Sequence, residues 1–240
     1  MNNKKYLFLI AVVVFTSSCQ KALETVSITT SSEILTECKN VSCPAIDVEY
    51  LFVSGNNTTS ELINTEIQNF IIQSLYIGED KHEVTAASIE RAMKDFILLY
   101  RTHSAEFPDL SAEYFAEVTV LQTFNTKELL AIRCQNYLYA GGAHGYGSVT
   151  YKNFDPQTGA FLYYEDLFND VSAFEALAEK LFRKENKIPK GDNVNTTGFW
   201  FENDTFYLPK TFGISKEFIT LQYNQYEIDS YAEGSITIEI

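Results

Sequence analysis

A stretch in the middle of the chain, residues 137–168, constrains the fold more than any other. Three runs rich in Tyr, Phe and Val are separated there by a glycine cluster and by the turn residues 155–159. This pattern predicts a strand, a glycine loop, a strand, a tight turn, a strand and the start of a helix. The cluster surrounds His144 and consists of Gly141, Gly142, Gly145 and Gly147. Such density indicates positive φ angles, or a backbone that another group approaches closely.

Periodicity elsewhere in the chain predicts an α+β fold. Apolar residues at helical spacing predict amphipathic helices over about 61–76, from about 86 to Pro108, and over 171–184. Strands are predicted over 46–53, from 113, from 127, and in the tail at 205–208, 218–223 and 235–240. One strand, two helices and a run of sequential strands together indicate an antiparallel β-sheet with about three helices packed on it.

The first residues predict an export signal. Lys4 and Lys5 precede the apolar run 6–15, which is too short to cross a hydrocarbon core of about 30 Å as a helix. The small residues before Cys19 resemble the lipobox of bacterial lipoproteins. That resemblance implies a signal peptide over residues 1–18, an acylated Cys19, and a lipid-anchored location in the bacterial cell envelope. The alternative is simple secretion, with an ordinary cysteine at position 19.

Composition and spacing predict how the exported chain is divided. Residues 20–44 are rich in Ser, Thr and Glu and lack periodicity, so we expect residues 19–44 to be a flexible tether after the acylated cysteine. The compact fold then begins at position 45. We expect an N-terminal α+β half over residues 45–125 and a C-terminal half over residues 126–240, which carries the glycine hairpin.

The remaining cysteines suit an oxidising compartment. Cys38 and Cys43 are close enough in an exported chain to form a small disulfide loop, which we hypothesise. Cys134 lies in an apolar stretch and is predicted to be a buried thiol. No further cysteine or histidine stands at the spacing of a zinc site, and we expect no metal and no cofactor.

The charge of the chain excludes one class of partner. With 32 acidic and 18 basic side chains the formal net charge is −14, and removal of the signal peptide, which holds two lysines and no acid, makes it −16. Such a surface repels the phosphates of nucleic acids and attracts basic proteins. We therefore expect no nucleic-acid partner.

Three motifs carry a resemblance to a known family. YLYAGGAHG begins at Tyr137, NFD followed by TG and DLF begins at Asn153, and a tyrosine-rich motif covers residues 223–234. Over roughly residues 45–240 the chain resembles a domain of unknown function from the extracellular part of RsiV-type, lysozyme-sensing anti-sigma factors. The same domain precedes the catalytic domain of some peptidoglycan deacetylases and occurs alone in bacterial lipoproteins. The resemblance implies a membrane-tethered, non-catalytic binding module for a lysozyme-like muramidase or the envelope glycan.

The hypothesised binding surface is built on the first and third of these motifs and on the residue that follows the first. It consists of Gly142, His144, Tyr146, Tyr226 and Tyr231. Tyrosines suit recognition because they add contact area at low entropy cost. Each tyrosine alone is also consistent with a core position, and His144 with a loop histidine that hydrogen-bonds the backbone.

Two other functions stay open at this point. The first is a peptidoglycan or polysaccharide hydrolase that uses His144 with a carboxylate such as Asp166 or Glu227. Helix capping by Asp166 is the favoured alternative for that residue, and no nucleophile motif accompanies His144. The second is a purely structural lipoprotein.

Overall fold

A computed structural model describes residues 21–78, 84–108 and 113–240. Cys19 and the predicted signal peptide, residues 1–18, lie outside the described residues. Among the helices of the described ranges, none combines the length and the apolar composition needed to span a membrane.

The larger of two sheets has five strands in the order β1-β2-β3-β4-β5. The strands are β1 (Thr25–Ser31), β2 (Ala45–Val53), β3 (Phe115–Asn125), β4 (Leu130–Tyr139) and β5 (Tyr146–Phe154). Three neighbouring pairs are antiparallel, as expected, whereas β2 and β3 are parallel. The parallel pair arises because the helices between β2 and β3 carry the chain back to the starting end of the sheet.

Two helices form this crossover and cover one face of the sheet. Helix α1 is Thr58–Leu75 and helix α2 is Ile89–Glu106. The Asn57 side chain accepts a hydrogen bond from Ser60 N at 2.9 Å, and Ser88 Oγ accepts one from Arg91 N at 3.2 Å. These caps satisfy amide groups that the first helical turn leaves free.

The first hydrophobic core lies between these helices and the sheet. Its buried side chains include Ile63, Ile67 and Ile71 of α1, Met93, Phe96 and Ile97 of α2, and Val118, Val120, Ile132 and Cys134 of the sheet. Their spacing follows the helical and strand periods read in the sequence. Cys134 is a free thiol with no exposed area, and burial raises its pKa to about 12.

The expected tether over residues 19–44 is wrong for most of its length. Residues 25–31 form β1, which pairs with β2 along seven positions. Ser32 Oγ accepts a hydrogen bond from Ile46 N and donates one to Pro44 O, and Leu35 is 6% exposed. The Ser, Thr and Glu content favours a linker, but five of the seven residues of β1 are β-branched, and such residues suit an edge strand.

Cys38 and Cys43 are joined by a disulfide, with their Cα atoms 5.5 Å apart. Arg101 of α2 donates a hydrogen bond to Glu37 O at 2.7 Å. The disulfide loop is therefore attached to the helical layer and forms part of the folded unit.

The C-terminal part has its own sheet and core. Helices α3 (Tyr164–Leu167) and α4 (Val171–Glu185) precede the strands β6 (Phe212–Ile214), β7 (Ile219–Tyr223) and β8 (Ile236–Glu239). The strand predicted at 205–208 does not form, because Phe206 is buried in the second core without strand pairing. The strand predicted after the 155–159 turn is a single bridge between Phe154 and Phe161.

The expected boundary between residues 125 and 126 is also wrong. It falls inside the β3–β4 hairpin, where Asn125 is paired with Leu130. The two hydrophobic cores divide after β5 instead, since Phe154 belongs to the first core and Phe174 to the second. The predicted α+β class is confirmed, since the described residues form eight strands in two mostly antiparallel sheets.

Candidate functional site

The glycine loop between β4 and β5 is shaped in part by the Tyr137 ring. A Cβ atom on Gly145 would lie 2.7 Å from Tyr137 Oη, and one on Gly147 would lie 2.8 Å from Tyr137 Cδ2. Gly141 and Gly142 adopt φ angles of 86° and 96°. Both expected reasons for the glycine cluster therefore apply. Gly145 and Gly147 leave room for the Tyr137 ring, and Gly141 and Gly142 adopt positive φ angles.

A turn from the second sheet is attached beside this loop. Asn224, which follows β7, accepts a hydrogen bond from Val149 N at 2.7 Å and donates one to Val149 O at 2.9 Å. At the edge of β5, the Asn224 side-chain amide thus forms the two hydrogen bonds that the backbone of a neighbouring strand would form. This contact brings residues 224–231 next to the glycine loop.

His144 and Tyr231 meet where the two segments join. Their rings are stacked with centroids 3.9 Å apart and planes 21° from parallel. Gly145 O accepts hydrogen bonds from Tyr231 Oη at 2.9 Å and from His144 Nδ1 at 3.1 Å. His144 therefore fixes the loop through the backbone and also presents an exposed ring.

Two more tyrosines lie close to this stack. The Tyr226 ring lies 5.8 Å from that of Tyr231 and is 55% exposed, and Tyr146 is 41% exposed. Partial burial, and then the nearby Glu227 and Tyr226, raise the pKa of Tyr146. We call these four residues, His144, Tyr146, Tyr226 and Tyr231, the aromatic surface.

Gly142, the fifth residue of the hypothesised surface, lies on the same loop. It is exposed, and its carbonyl accepts a hydrogen bond from Tyr139 Oη at 2.9 Å. A Cβ added there would meet no atom within 4 Å. The space beside Gly142 is therefore open, and another molecule can approach the loop there.

Two family models match the chain in adjacent segments. Residues 165–240 match the family described as "Protein of unknown function (DUF3298)", and residues 37–146 match the family described as "Deacetylase PdaC". Residues 165–240 are therefore similar to the DUF3298 family. No curated protein matches the chain significantly.

Solved structures of two DUF3298 family proteins share the fold. A DUF3298 family member from Bacteroides fragilis is 24% identical, with a TM-score of 0.63 over 92% of this chain and 91% of that one. A DUF3298 family protein from Pseudomonas aeruginosa is 19% identical, with a TM-score of 0.58 over 91% of this chain and 90% of that one. At these identities the likeness shows the fold alone.

The aromatic surface is assembled from both matched segments. Tyr226 and Tyr231 lie in the DUF3298 segment, while His144 and Tyr146 end the segment that matches the deacetylase family. Asn224, which holds the two together, belongs to the DUF3298 segment and was missed by sequence reasoning. An asparagine in a turn is typical of the turn itself and gives no signal of a distant backbone partner.

The carboxylates considered for catalysis have different environments. Asp166 Oδ2 accepts a hydrogen bond from Tyr163 N at 2.8 Å in the first turn of α3, so Asp166 has a capping role there, while Asp170 caps the helix α4. Glu227 is exposed, and Asn224 Nδ2 donates to its carboxylate at 3.4 Å. Within the parts of the chain that the structure describes, no ion pair joins His144 to an acid. No group of three or more His, Cys, Asp or Glu side chains there could hold a metal ion.

Proposed function

We propose that the chain is a membrane-tethered, non-catalytic binding module of the bacterial cell envelope, and that the aromatic surface contacts its partner. The observation that carries the proposal is the stacking of His144 on Tyr231, at 3.9 Å, beside the exposed rings of Tyr226 and Tyr146. Exposed, preordered aromatic rings are typical of recognition surfaces, because little side-chain entropy is lost when a partner binds.

The family matches support an envelope role in general terms. One matched family is named for a deacetylase and the other has no assigned function, and together they hint at a module related to the cell wall. A lipid anchor at Cys19 would hold such a module at the membrane, with its aromatic surface available to envelope components.

The partner we favour is a basic protein of the lysozyme-like muramidase class, with the envelope glycan as the other target. The net charge of −14 steers a cationic protein towards the domain, and Glu227 adds an acidic side chain beside the rings. Glycans also stack on exposed tyrosine rings, so the same surface suits both.

A calorimetric titration of the full chain with a lysozyme, at about 0.02 M and about 0.15 M salt, tests the protein partner. We expect saturable heat at both salt concentrations, with weaker binding at the higher one because screening reduces steering. Sedimentation with insoluble peptidoglycan tests the glycan. Absence of binding in both assays would contradict the proposal.

A second candidate is a peptidoglycan or polysaccharide hydrolase that uses His144 with Glu227. The closeness of Glu227 to Tyr146, through which it raises the pKa of that tyrosine, favours this pair over Asp166. Release of reducing ends from peptidoglycan by the full chain, and its loss in both His144→Ala and Glu227→Gln, would support the enzyme and replace the binding module.

A further inference from the structure

A cleft of about 350 Å³ lies between the two sheets, away from the aromatic surface. The larger sheet contributes the face opposite α1 and α2, since Arg133 alternates with the core residues Ile132 and Cys134. The lining side chains include Thr123, Arg133 and Tyr151 from the larger sheet and Phe218, Thr220 and Thr237 from the smaller one. Junctions between packed units are where small-ligand sites commonly form.

Arg133 brings an unpaired positive charge to this cleft. Its Nη1 donates to Gln135 Oε1 at 2.6 Å, and the residue is half-buried. In the part of the chain that the structure describes, Arg133 forms no ion pair with an acid, although the chain holds 32 acidic side chains. Glu239 lines the same cleft without pairing with it. The remaining donors of the guanidinium suit a carboxylate.

Two residues with hydroxyl groups line the cleft beside Arg133. Thr123 is the extra residue of a β-bulge in β3, and its Oγ1 is buried without a hydrogen bond. Tyr151, which also lines the cleft, is only 8% exposed. Buried polar groups are nearly always paired in native proteins, so the Thr123 hydroxyl indicates a ligand or ordered water in the cleft. Bulges often redirect a side chain towards such a site.

Aromatic rings form the apolar wall. A Cβ atom on Gly213 would lie 2.4 Å from Tyr151 Cε1, so only glycine lets β6 come this close to the ring. Phe218 is 37% exposed at the other side of the cleft. A ring wall facing hydroxyl and guanidinium groups is suited to a sugar, which has an apolar face and a polar edge.

We propose that this cleft binds a sugar acid. Arg133 takes the carboxylate, the Thr123 and Tyr151 hydroxyls hydrogen-bond the sugar hydroxyls, and the rings of Tyr151 and Phe218 contact its apolar face. Because the net charge of the chain opposes anions at long range, affinity depends on the local contact with Arg133. The site is separate from the aromatic surface and does not depend on the function proposed above.

The test is a titration of the full chain with D-glucuronate, followed by calorimetry or by NMR shifts at about 0.15 M salt. We expect saturable binding with a dissociation constant on the order of 1 mM. D-glucose, which lacks the carboxylate, and acetate, which lacks the ring, should each bind about tenfold more weakly. Arg133→Gln should lose about tenfold in affinity, and Thr123→Val and Tyr151→Phe about threefold each.

Arg183→Gln is the matched control, because Arg183 pairs with Glu179 on α4, and it should bind glucuronate as the unchanged chain does. Thr123→Val conserves shape, so it keeps the test valid if Arg133→Gln fails to fold. The proposal is overturned by the absence of saturable glucuronate binding, by equal affinity for glucose, or by unchanged affinity in both Arg133→Gln and Thr123→Val.

Discussion

The Asn224 side chain forms both hydrogen bonds with the Val149 backbone that a neighbouring strand would form. Replacing it in Asn224→Ala leaves the N–H and C=O of a buried residue without partners. We expect a loss of about 2 kcal/mol in the free energy of unfolding, measured with urea. Gln225→Ala changes the adjacent residue of the same turn and should stay within about 0.5 kcal/mol of the unchanged chain. Equal effects of the two substitutions would show that Asn224 does not hold the turn.

The second prediction concerns the N-terminal strand. A chain that begins at residue 45 lacks β1 and the disulfide loop, and it exposes the edge of β2. We expect it to lose cooperative unfolding or to aggregate, whereas a chain that begins at residue 21 unfolds cooperatively. Thermal unfolding followed by circular dichroism distinguishes the two. A cooperative transition at an unchanged temperature in the shorter chain would restore the tether interpretation.

The third prediction tests why the loop is rich in glycine. In Gly147→Ala the new methyl group would meet the Tyr137 ring at 2.8 Å and Asn136 O at 3.3 Å. We expect this to destabilise the chain by about 1–3 kcal/mol, as overpacking does. Adding Tyr137→Ala removes the ring, so the glycine substitution should then be less destabilising. Additive effects in this double-mutant cycle would argue against contact between the two residues.

The fourth prediction is a loss of stability in alkali. Burial raises the pKa of the Cys134 thiol from 9.0 to about 12. The unfolded chain therefore releases this proton at lower pH than the folded chain does. The resulting stability is fully present below pH 9 and is lost as the pH rises towards 12, by about 1.4 kcal/mol per pH unit. Burial also raises the pKa of Tyr164 and of Tyr223 above its ordinary value of 10.0. These two tyrosines therefore also lower the stability of the folded chain as the pH rises above 10.0.

Urea unfolding of the unchanged chain and of Cys134→Ala, at pH 8 and at pH 10, measures this effect. The alanine variant loses packing at both pH values, but its stability should fall less between them. A parallel decline in the two proteins would assign the alkaline instability to other groups.

Much of the fold could be predicted because the apolar residues that stand at helical or strand spacing in the sequence are the residues that are buried in the structure. The α1 residues Ile63, Ile67 and Ile71 stand at helical spacing and are all buried, and Ala116, Val118 and Val120 alternate in β3. The failures have local causes. Phe206 has strand-like neighbours but packs among other rings, and β6 has only three residues, too few for a periodic signal.

The aromatic surface was predicted less directly. His144 and Tyr231 belong to separate motifs, and nothing in their spacing indicates that their rings stack. That contact depends on Asn224 binding the edge of β5, which is a tertiary interaction between residues 75 positions apart. Among the described residues, Arg133 has no acidic partner and the Thr123 hydroxyl has no hydrogen bond, which is likewise visible only when both sheets are in place.

The central claim is that the aromatic surface binds a partner, and one substitution in the lysozyme titration tests it most directly. Tyr226 is 55% exposed and has a φ angle of 68°, a conformation that asparagine tolerates well. Tyr226→Asn therefore removes the ring without destabilising the turn. Tyr163→Ser, which changes another exposed tyrosine outside this surface, is the control. We predict that Tyr226→Asn weakens lysozyme binding by about tenfold or more while Tyr163→Ser leaves it unchanged; equal affinity of all three proteins would contradict the claim.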